Sequence, residues 1–579
     1  MTILQQLETR LAAALADVLG EPARAIVVPA ADLRFGDYQS NAAMVLAKQR
    51  KTNPRTLAED VISKIDLAGI ATAEIAGPGF INFRVLSDAY AARAMALLND
   101  EKLGVPASGG GRTVVVDFSA PNVAKPMHVG HIRSTIIGDS LARIARFLGY
   151  RVITDNHIGD WGTQFGMILH GWKTMRDDEA LERDPIAELV RVYRMVNVAA
   201  KADPAVLENC KTELVKLQAG DAENLAIWQQ CIDVSKRGLE KIYTTLDVTF
   251  DHWLGESFFN DMLGPLVDEF LAKGIARESA GAVCVFSDGQ GKPEDDPFRV
   301  HREEGWTDNP AIIRKADGGF LYATTDLATL QYRIDKWRAD EIWYVVGVPQ
   351  QLHFRQIFAA AERWGKTGNF RHVAFGSILG EDRKLMKTRS GENVGLIEVL
   401  DEAVERAAKV IAEKNPDLEG AKEIAEIVGI GAVKFAELSQ NRLTDYVFAW
   451  DRMLALQGDT APYLQYSHVR IRSIFRKLDA FFDATAAEIV LNEPEEIHLA
   501  RLHARFGELL PQVLEDFRPN LLANYLLELA RAFHSFFEAC PVLKSDEPQR
   551  SSRLALCELT GRVLATGLGL LGIKCPVRM

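Results

Sequence analysis

A strongly β-patterned run, Thr113 to Ser119, passes within a few residues into a helical period of Ile132, Ile136, Leu141, Ile144 and Leu148, which Gly149 closes. Arg151 to Thr154 then reads as a second short strand. A strand, a helix and a strand in that order restrict the chain to a parallel pairing with a right-handed crossover, the unit of doubly wound α/β folds. Such folds bind ligands beyond the carboxyl ends of their strands. There the sequence places Pro126-Met127-His128-Val129-Gly130-His131. Two imidazoles three residues apart at a helix start are expected on one face, where they can donate hydrogen bonds to phosphate oxygens. The helix N-terminus adds partial positive charge and free N–H groups. Gly130, lacking a Cβ, lets a flat base lie close to the backbone. The same residues also fit a chance pair of surface or core histidines. Gly109-Gly110-Gly111 precedes the strand instead of following it, so it reads as a linker and not as a dinucleotide or Walker phosphate loop.

Strand and helix alternation lapses over about 170–300, where helices rich in Glu, Lys and Arg predict an insertion, and resumes near Ala311. Glu341 to Val348 reads as a buried strand, Phe354 to Trp364 as a helix stopped by Gly365, and His372 to Leu379 as another strand. That strand runs into Gly380-Glu381-Asp382-Arg383-Lys384-Leu385-Met386-Lys387-Thr388-Arg389, a loop whose cations suit a leaving pyrophosphate or simply face solvent. The organisation expected is a mixed α and β unit over 1–108, an α/β unit over 109–396 and an all-helical unit over 397–579.

At 579 residues, 47% of them hydrophobic, the chain can bury several cores without covalent staples. Its six cysteines form no Cys-x-x-Cys pair, so neither a zinc site nor a disulfide framework is expected, and a reducing cytoplasmic setting fits best. Met1 to Gly20 reads as an amphipathic helix without the apolar core of a signal peptide, and no run is long and apolar enough to suggest a membrane span. A net charge of −12 argues mildly against nonspecific nucleic-acid binding, but one basic stretch stands out. Residues 468–477 are basic and helical in period, and they follow Tyr463 and Tyr466. Cations beside rings suit single-stranded RNA, and a solvated helix face with packed tyrosines explains the pattern as well.

Together these residues resemble the arginyl family of class I aminoacyl-tRNA synthetases, in its bacterial form. His128-Val129-Gly130-His131 is similar to the HIGH signature, and Leu385-Met386-Lys387-Thr388-Arg389 takes the place of KMSKS with Thr388 at the second lysine. Lys125, just before the histidines, matches a lysine that accompanies this departure. Phe35-Gly36-Asp37-Tyr38-Gln39-Ser40-Asn41, Gly159-Asp160-Trp161-Gly162-Thr163-Gln164-Phe165-Gly166 and the ending Pro576-Val577-Arg578-Met579 extend the likeness over nearly the whole chain.

The resemblance implies a Rossmann-type catalytic domain, an α+β N-terminal domain that binds the tRNA elbow, and an all-helical C-terminal anticodon-binding domain. It implies ATP-dependent charging of arginine tRNA, with L-arginine, ATP and Mg²⁺ arriving with ATP, by a cytoplasmic monomer with no membrane partner. His128, Gly130, His131 and Met386 would then bind ATP, and Lys125, His128, His131, Lys387 and Arg389 would serve the chemistry. Asp117, Asn122, Tyr322, Asp326 and Gln350 match the family's arginine pocket; local sequence alone would also let Asp326 cap a helix. Tyr463, Tyr466, Arg470, Arg476 and Met579 become the tRNA-binding candidates.

Overall fold

The computed structural model describes residues 1–380, 382–384, 394–455 and 457–579. The chain forms two compact units, one of Gly109–Leu454 and one of Met1–Ser108 with Ala455–Met579.

The first unit is built on a four-stranded parallel sheet. Its strands are β1 (Thr113–Asp117), β2 (Arg151–Asp155), β3 (Glu341–Tyr344) and β4 (Asn369–His372), in the spatial order β4-β3-β1-β2. Val114, Val115 and Val116 of β1 are wholly buried, as a central strand covered on both faces requires. Helix α1 (Gly130–Phe147) crosses from β1 to β2, and Gly149 adopts a left-handed φ of 84° in the turn that follows. The connection after β2 returns to the opposite side of β1, which makes the carboxyl ends of β1 and β3 the topological switch point.

The insertion is helical at first, with helices Thr163–Thr174, Asp178–Arg183, α2 (Pro185–Ala202), Pro204–Gln218 and α3 (Ala222–Thr245). Asp184-Pro185 and Asp203-Pro204 start two of these helices in the same way: the carboxylate accepts a free first-turn N–H, and proline takes a position that needs none. Their apolar faces close over Val123, Ala124 and Ile158, so the insertion packs on the loop that leaves β1. Short antiparallel strands between Ala276 and Arg314 follow, and α4 (Tyr322–Asp335) and α5 (Gln351–Arg363) flank β3.

Two expected strands are shorter than their apolar runs. β3 ends at Tyr344 because Pro349 lies in a single 3₁₀ turn, Val348–Gln350, that leads directly into α5. The run from His372 to Leu379 changes partner midway: β4 stays in the main sheet, and Ile378–Leu379 pairs with Tyr446–Val447. The expected boundary at 396/397 also shifts. Helix Leu396–Lys414 and α6 (Ala421–Leu438) belong to the sheet-bearing unit, which runs to Leu454. The fully buried pair Arg133 to Glu437, 2.7 Å apart, holds α6 on α1, and Arg133 also donates to the carbonyls of Arg442 and Thr444.

The second unit joins a four-stranded antiparallel sheet, order Val28–Pro29, Tyr38–Ser40, Phe80–Val85, Ala71–Ala76, to helices from both ends of the sequence. Much of the Phe35–Asn41 motif works structurally here. Tyr38 donates its hydroxyl to Glu508 at 3.0 Å, and Asp37 accepts the N–H of Val85 at 2.8 Å. Four long helices, Ala461–Phe475, Pro494–Glu515, Pro519–Ala539 and Gln549–Leu570, make up the C-terminal part. Among the described residues no helix is long and apolar enough to cross a membrane, and all six cysteines are free thiols.

Candidate active site

Sheet register brings one residue from each strand into a single row at the carboxyl edge: Asp155, Asp117, Tyr344 and His372. Two adjacent buried carboxylates need a counter-charge, and Arg333 of α4 supplies it. Its Nη2 lies 2.7 Å from Asp117 and 2.8 Å from Asp155, and its guanidinium sits over the Tyr344 ring at 5.3 Å. Burial pushes the Asp117 carboxyl up, with Arg333 and His157 opposing the rise. Asp117 is thus an internally paired acid, a role the sequence reading did not give it.

The histidine motif lies at the same edge. His128 precedes the first residue of α1 and His131 stands in its first turn, so the two do not share a helix face as expected. The turn from His128 to His131, closed by an N–H to carbonyl bond of 2.9 Å, brings the rings within 4.0 Å instead. His131 Nδ1 accepts the N–H of His128 and His128 Nδ1 accepts the N–H of Gly130, each at 3.1 Å. A neutral ring that accepts at Nδ1 carries its proton on Nε2 and offers it as a donor; His131 Nδ1 also lies 3.3 Å from the His128 carbonyl, to which its other tautomer would donate. Burial lowers the pKa of both, that of His131 to about 4 with His128 adding to the effect, so they are neutral donors at physiological pH. A Cβ on Gly130 would fall 2.8 Å from His128 Cε1, so glycine here makes room for that ring. The chain just past 393 also pairs with the motif, Val129 donating to Val394 and Leu396 to Met127, both at 2.9 Å. Met386, Lys387 and Arg389 lie outside the described residues.

Between β1 and α1 the chain carries Asn122 and Lys125, both exposed. Asn122 lies against Gly159, where a Cβ would meet its Oδ1 at 2.2 Å, so the first glycine of the Gly159–Gly166 motif permits a close approach. Lys125 Nζ stands 5.3 Å from the Tyr193 ring of α2.

α4 supplies further candidate groups. Asp326 lies in its second turn, and the N-cap, Leu321, has no side-chain cap, so the helix-capping explanation of Asp326 fails. Instead Asp326 Oδ2 is 2.5 Å from His353 Nε2 on α5, and Tyr322 packs on the same imidazole with ring centroids 4.7 Å apart. Gln350, exposed, precedes α5 by one residue. Two groups that the sequence reading passed over join them. His157 donates Nδ1–H to the Leu254 carbonyl at 2.8 Å; burial pulls its pKa down, but Asp117 and the neighbouring acids raise it on balance. Glu256 is pushed up to about 7 by burial, with Asp160 and Asp326 adding repulsion and His157 opposing it. Asp160 is itself held by the N–H and hydroxyl of Ser257 at 2.8 and 2.6 Å. The arrangement gathers several carboxyl groups and one resident guanidinium at the carboxyl edge of the sheet, where the loop leaving β1 carries the two imidazoles.

In the second unit Tyr463, Tyr466 and Arg470 recur at helical spacing along Ala461–Phe475, which Thr460 caps by accepting the Tyr463 N–H at 3.2 Å. Tyr466 is exposed, whereas Arg470 packs over Phe537 at 4.8 Å. Arg476 donates to the Val577 carbonyl at 3.3 Å, which joins this helix to the segment that ends in Met579.

Comparison with known proteins agrees with this layout. Residues 93–450 match the model of class I (R) tRNA synthetase catalytic domains, 464–579 that of the DALR anticodon binding domain, and 5–85 that of the arginyl tRNA synthetase N-terminal domain. The arginine–tRNA ligase of Laribacter hongkongensis is 46% identical over 582 residues, 99% of each chain. Among solved structures, the arginyl-tRNA synthetase of Plasmodium falciparum is similar with a TM-score of 0.84 at 28% identity, covering 100% of this chain and 99% of that one. That of Thermus thermophilus reaches 0.80 at 26% identity with both chains fully covered. A likeness of this extent, with all three family models in sequence order, shows that the chain belongs to the arginyl family of class I aminoacyl-tRNA synthetases.

Proposed function

We propose that this chain attaches L-arginine to arginine tRNA in two steps, and that the cleft at the carboxyl edge of the sheet performs both. In the first step an arginine carboxylate oxygen attacks the α-phosphorus of ATP, the bond from that phosphorus to the bridging oxygen breaks, and pyrophosphate leaves with the electron pair. No protein nucleophile takes part, so positioning and charge stabilisation supply the rate. His128 and His131 donate from Nε2 to phosphate oxygens as uncharged groups, and the N-terminus of α1 adds its free N–H groups. Lys125, with Lys387 and Arg389, meets the departing charge. Mg²⁺ enters with ATP as part of the substrate. In the second step a hydroxyl of the terminal tRNA adenosine, the 2′ by likeness to class I enzymes, attacks the adenylate carbonyl and AMP leaves.

Asp326, Tyr322 and Glu256 receive the arginine guanidinium, whose five donors in a planar fork call for more than one acceptor. Asp117, Asn122 and Gln350 receive the α-amino end. The Ala461–Phe475 helix and the terminal segment bind the anticodon loop through Tyr463, Tyr466, Arg470, Arg476 and Met579. One chain carries every part, so the acting species is a monomer, in the cytoplasm where translation runs.

The observation that supports this reading most is the acid cluster in which His157 links Asp117, at the carboxyl end of β1, to Asp326 and Glu256, with the histidine motif on the loop that leaves the same strand end. Arginine-dependent ATP–pyrophosphate exchange, with and without arginine tRNA and with lysine as control, tests it. Exchange confined to arginine is expected; exchange with lysine, or none under any condition, would refute it.

A further inference from the structure

We propose that Tyr193, on the helical insertion, is a positioning residue for Lys125 during arginine activation. This rests on the reading of Lys125 as a cation that meets the departing pyrophosphate. Lys125 Nζ lies 5.3 Å from the centroid of the Tyr193 ring. The ring is half-buried and fixed from behind, packed on the cluster that contains Val123, Ala124, Phe165 and Leu189.

The insertion also holds the backbone that carries the lysine. Ala124, the residue before it, has a φ of 59°, and Ser119 and Ala120 earlier in the same loop have φ values of 74° and 44°. Left-handed conformations at non-glycine residues persist only where the surroundings impose them. Here α3 imposes them: Ser235 Oγ accepts the Ala124 N–H at 3.1 Å, and Tyr243 shares a 2.7 Å hydrogen bond with Ser119 Oγ. Helices α2 and α3 therefore fix both the backbone before Lys125 and the place of its ammonium.

A lysine on an open loop has four rotatable side-chain bonds, and meeting pyrophosphate would cost it that freedom. An aromatic face restricts the ammonium in advance. Unlike a carboxylate, it attracts the cation without neutralising it, so the full charge remains for the phosphate oxygens.

A double-mutant cycle of Tyr193→Leu and Lys125→Met, read by ATP–pyrophosphate exchange, tests the proposal. Tyr193→Leu alone is expected to lower kcat by about 2- to 5-fold, the rate equivalent of an exposed cation–π contact, with KM for arginine unchanged. Tyr193→Phe, which keeps the ring, restores kcat. In the Lys125→Met background Tyr193→Leu has no further effect. Equal losses in both backgrounds would show that Tyr193 acts without Lys125 and overturn the proposal. A harmless Tyr193→Leu beside a damaging Lys125→Met would refute Tyr193 alone. A harmless Lys125→Met would refute the role of the lysine itself, and the proposal with it.

Discussion

Arginine binding should expel a proton from Glu256. Burial, together with Asp160 and Asp326, holds this carboxyl at about 7 in the free protein, so near neutral pH it is half protonated. A guanidinium between Glu256 and Asp326 favours the ionised form. If arginine binds only that form, the apparent Kd scales as one plus the ratio of proton concentration to acid constant. The factor is about 11 at pH 6, about 2 at pH 7 and about 1.1 at pH 8, so affinity should rise about tenfold from pH 6 to pH 8, or about 1.4 kcal/mol. Calorimetric titration of L-arginine in two buffers of different ionisation enthalpy measures the proton count directly, with about 0.5 proton released from Glu256 at pH 7. His157, whose cation faces Asp117, releases protons in the same direction, so the decisive comparison is with Glu256→Gln. That variant should lose most of the pH slope and about half a proton at pH 7. If its slope and proton count equal those of the unaltered chain, Glu256 does not touch the guanidinium and the charge assignment of the cleft is wrong.

Asp326→Asn should weaken arginine binding by about 2–4 kcal/mol, the scale of a lost charge-assisted contact, while ATP binding measured separately stays unchanged. Arg133→Met strands the buried Glu437 carboxylate and should cost about 3–5 kcal/mol of stability in urea unfolding, much of which Arg133→Met/Glu437→Leu should recover. His503 is fully buried beside Thr560, and burial lowers it to about 3. The unfolded chain then binds the extra proton, so this residue's contribution is complete above about pH 6.5 and is lost as pH falls towards 3, by up to about 1.4 kcal/mol per pH unit. His503→Phe should flatten the fall in melting temperature over that range.

The sheet-bearing core was legible because a parallel strand covered on both faces has to be an apolar run, as Val114-Val115-Val116 is. The histidine motif was legible for a related reason: the end of β1 and the start of α1 fix its place at the carboxyl edge. Asp117 stood out as an acid in that strand, but its partner did not. Arg333 meets Asp117 and Asp155 only after β1 and β2 pair in register, and register between distant segments leaves no local mark. One signal was available. Arg333 falls seven residues after Asp326, in line with Ala323, Leu327 and Leu330, and a charge within a buried stripe demands a buried partner. Glu256 gave no such sign, since its raised pKa comes from surroundings drawn from several segments. The boundary expected at 396 differs from the division into compact units because α6 looks like any amphipathic helix, and its Glu437, paired with Arg133, ties it to the sheet-bearing core.

If Asp326 and Glu256 receive the guanidinium as proposed, the charges around them also account for the selection of arginine. Arg333 is a permanent partner of Asp117 and Asp155, and because one guanidinium carries one charge against two carboxylates, Asp117 keeps room for the α-ammonium that the proposed function assigns to it. Asp326 and Glu256 have no such resident. Asp326 leans on His353, and Glu256 keeps its proton to about 7, which limits the repulsion between the two acids. In the proposed reading a guanidinium would replace that proton and satisfy both acids through separate N–H groups of one planar fork. A lysine ammonium, a compact charge on a flexible stem, cannot hold the same two acceptors in the same geometry, and an uncharged side chain leaves Asp326 without a cation. Selection of this kind comes from the cost of leaving buried polar groups unmatched, which discriminates far more steeply than apolar fit. It follows that Glu256→Gln should narrow the preference for arginine over lysine more than it weakens ATP binding, because the lost acceptor belongs to the fork alone.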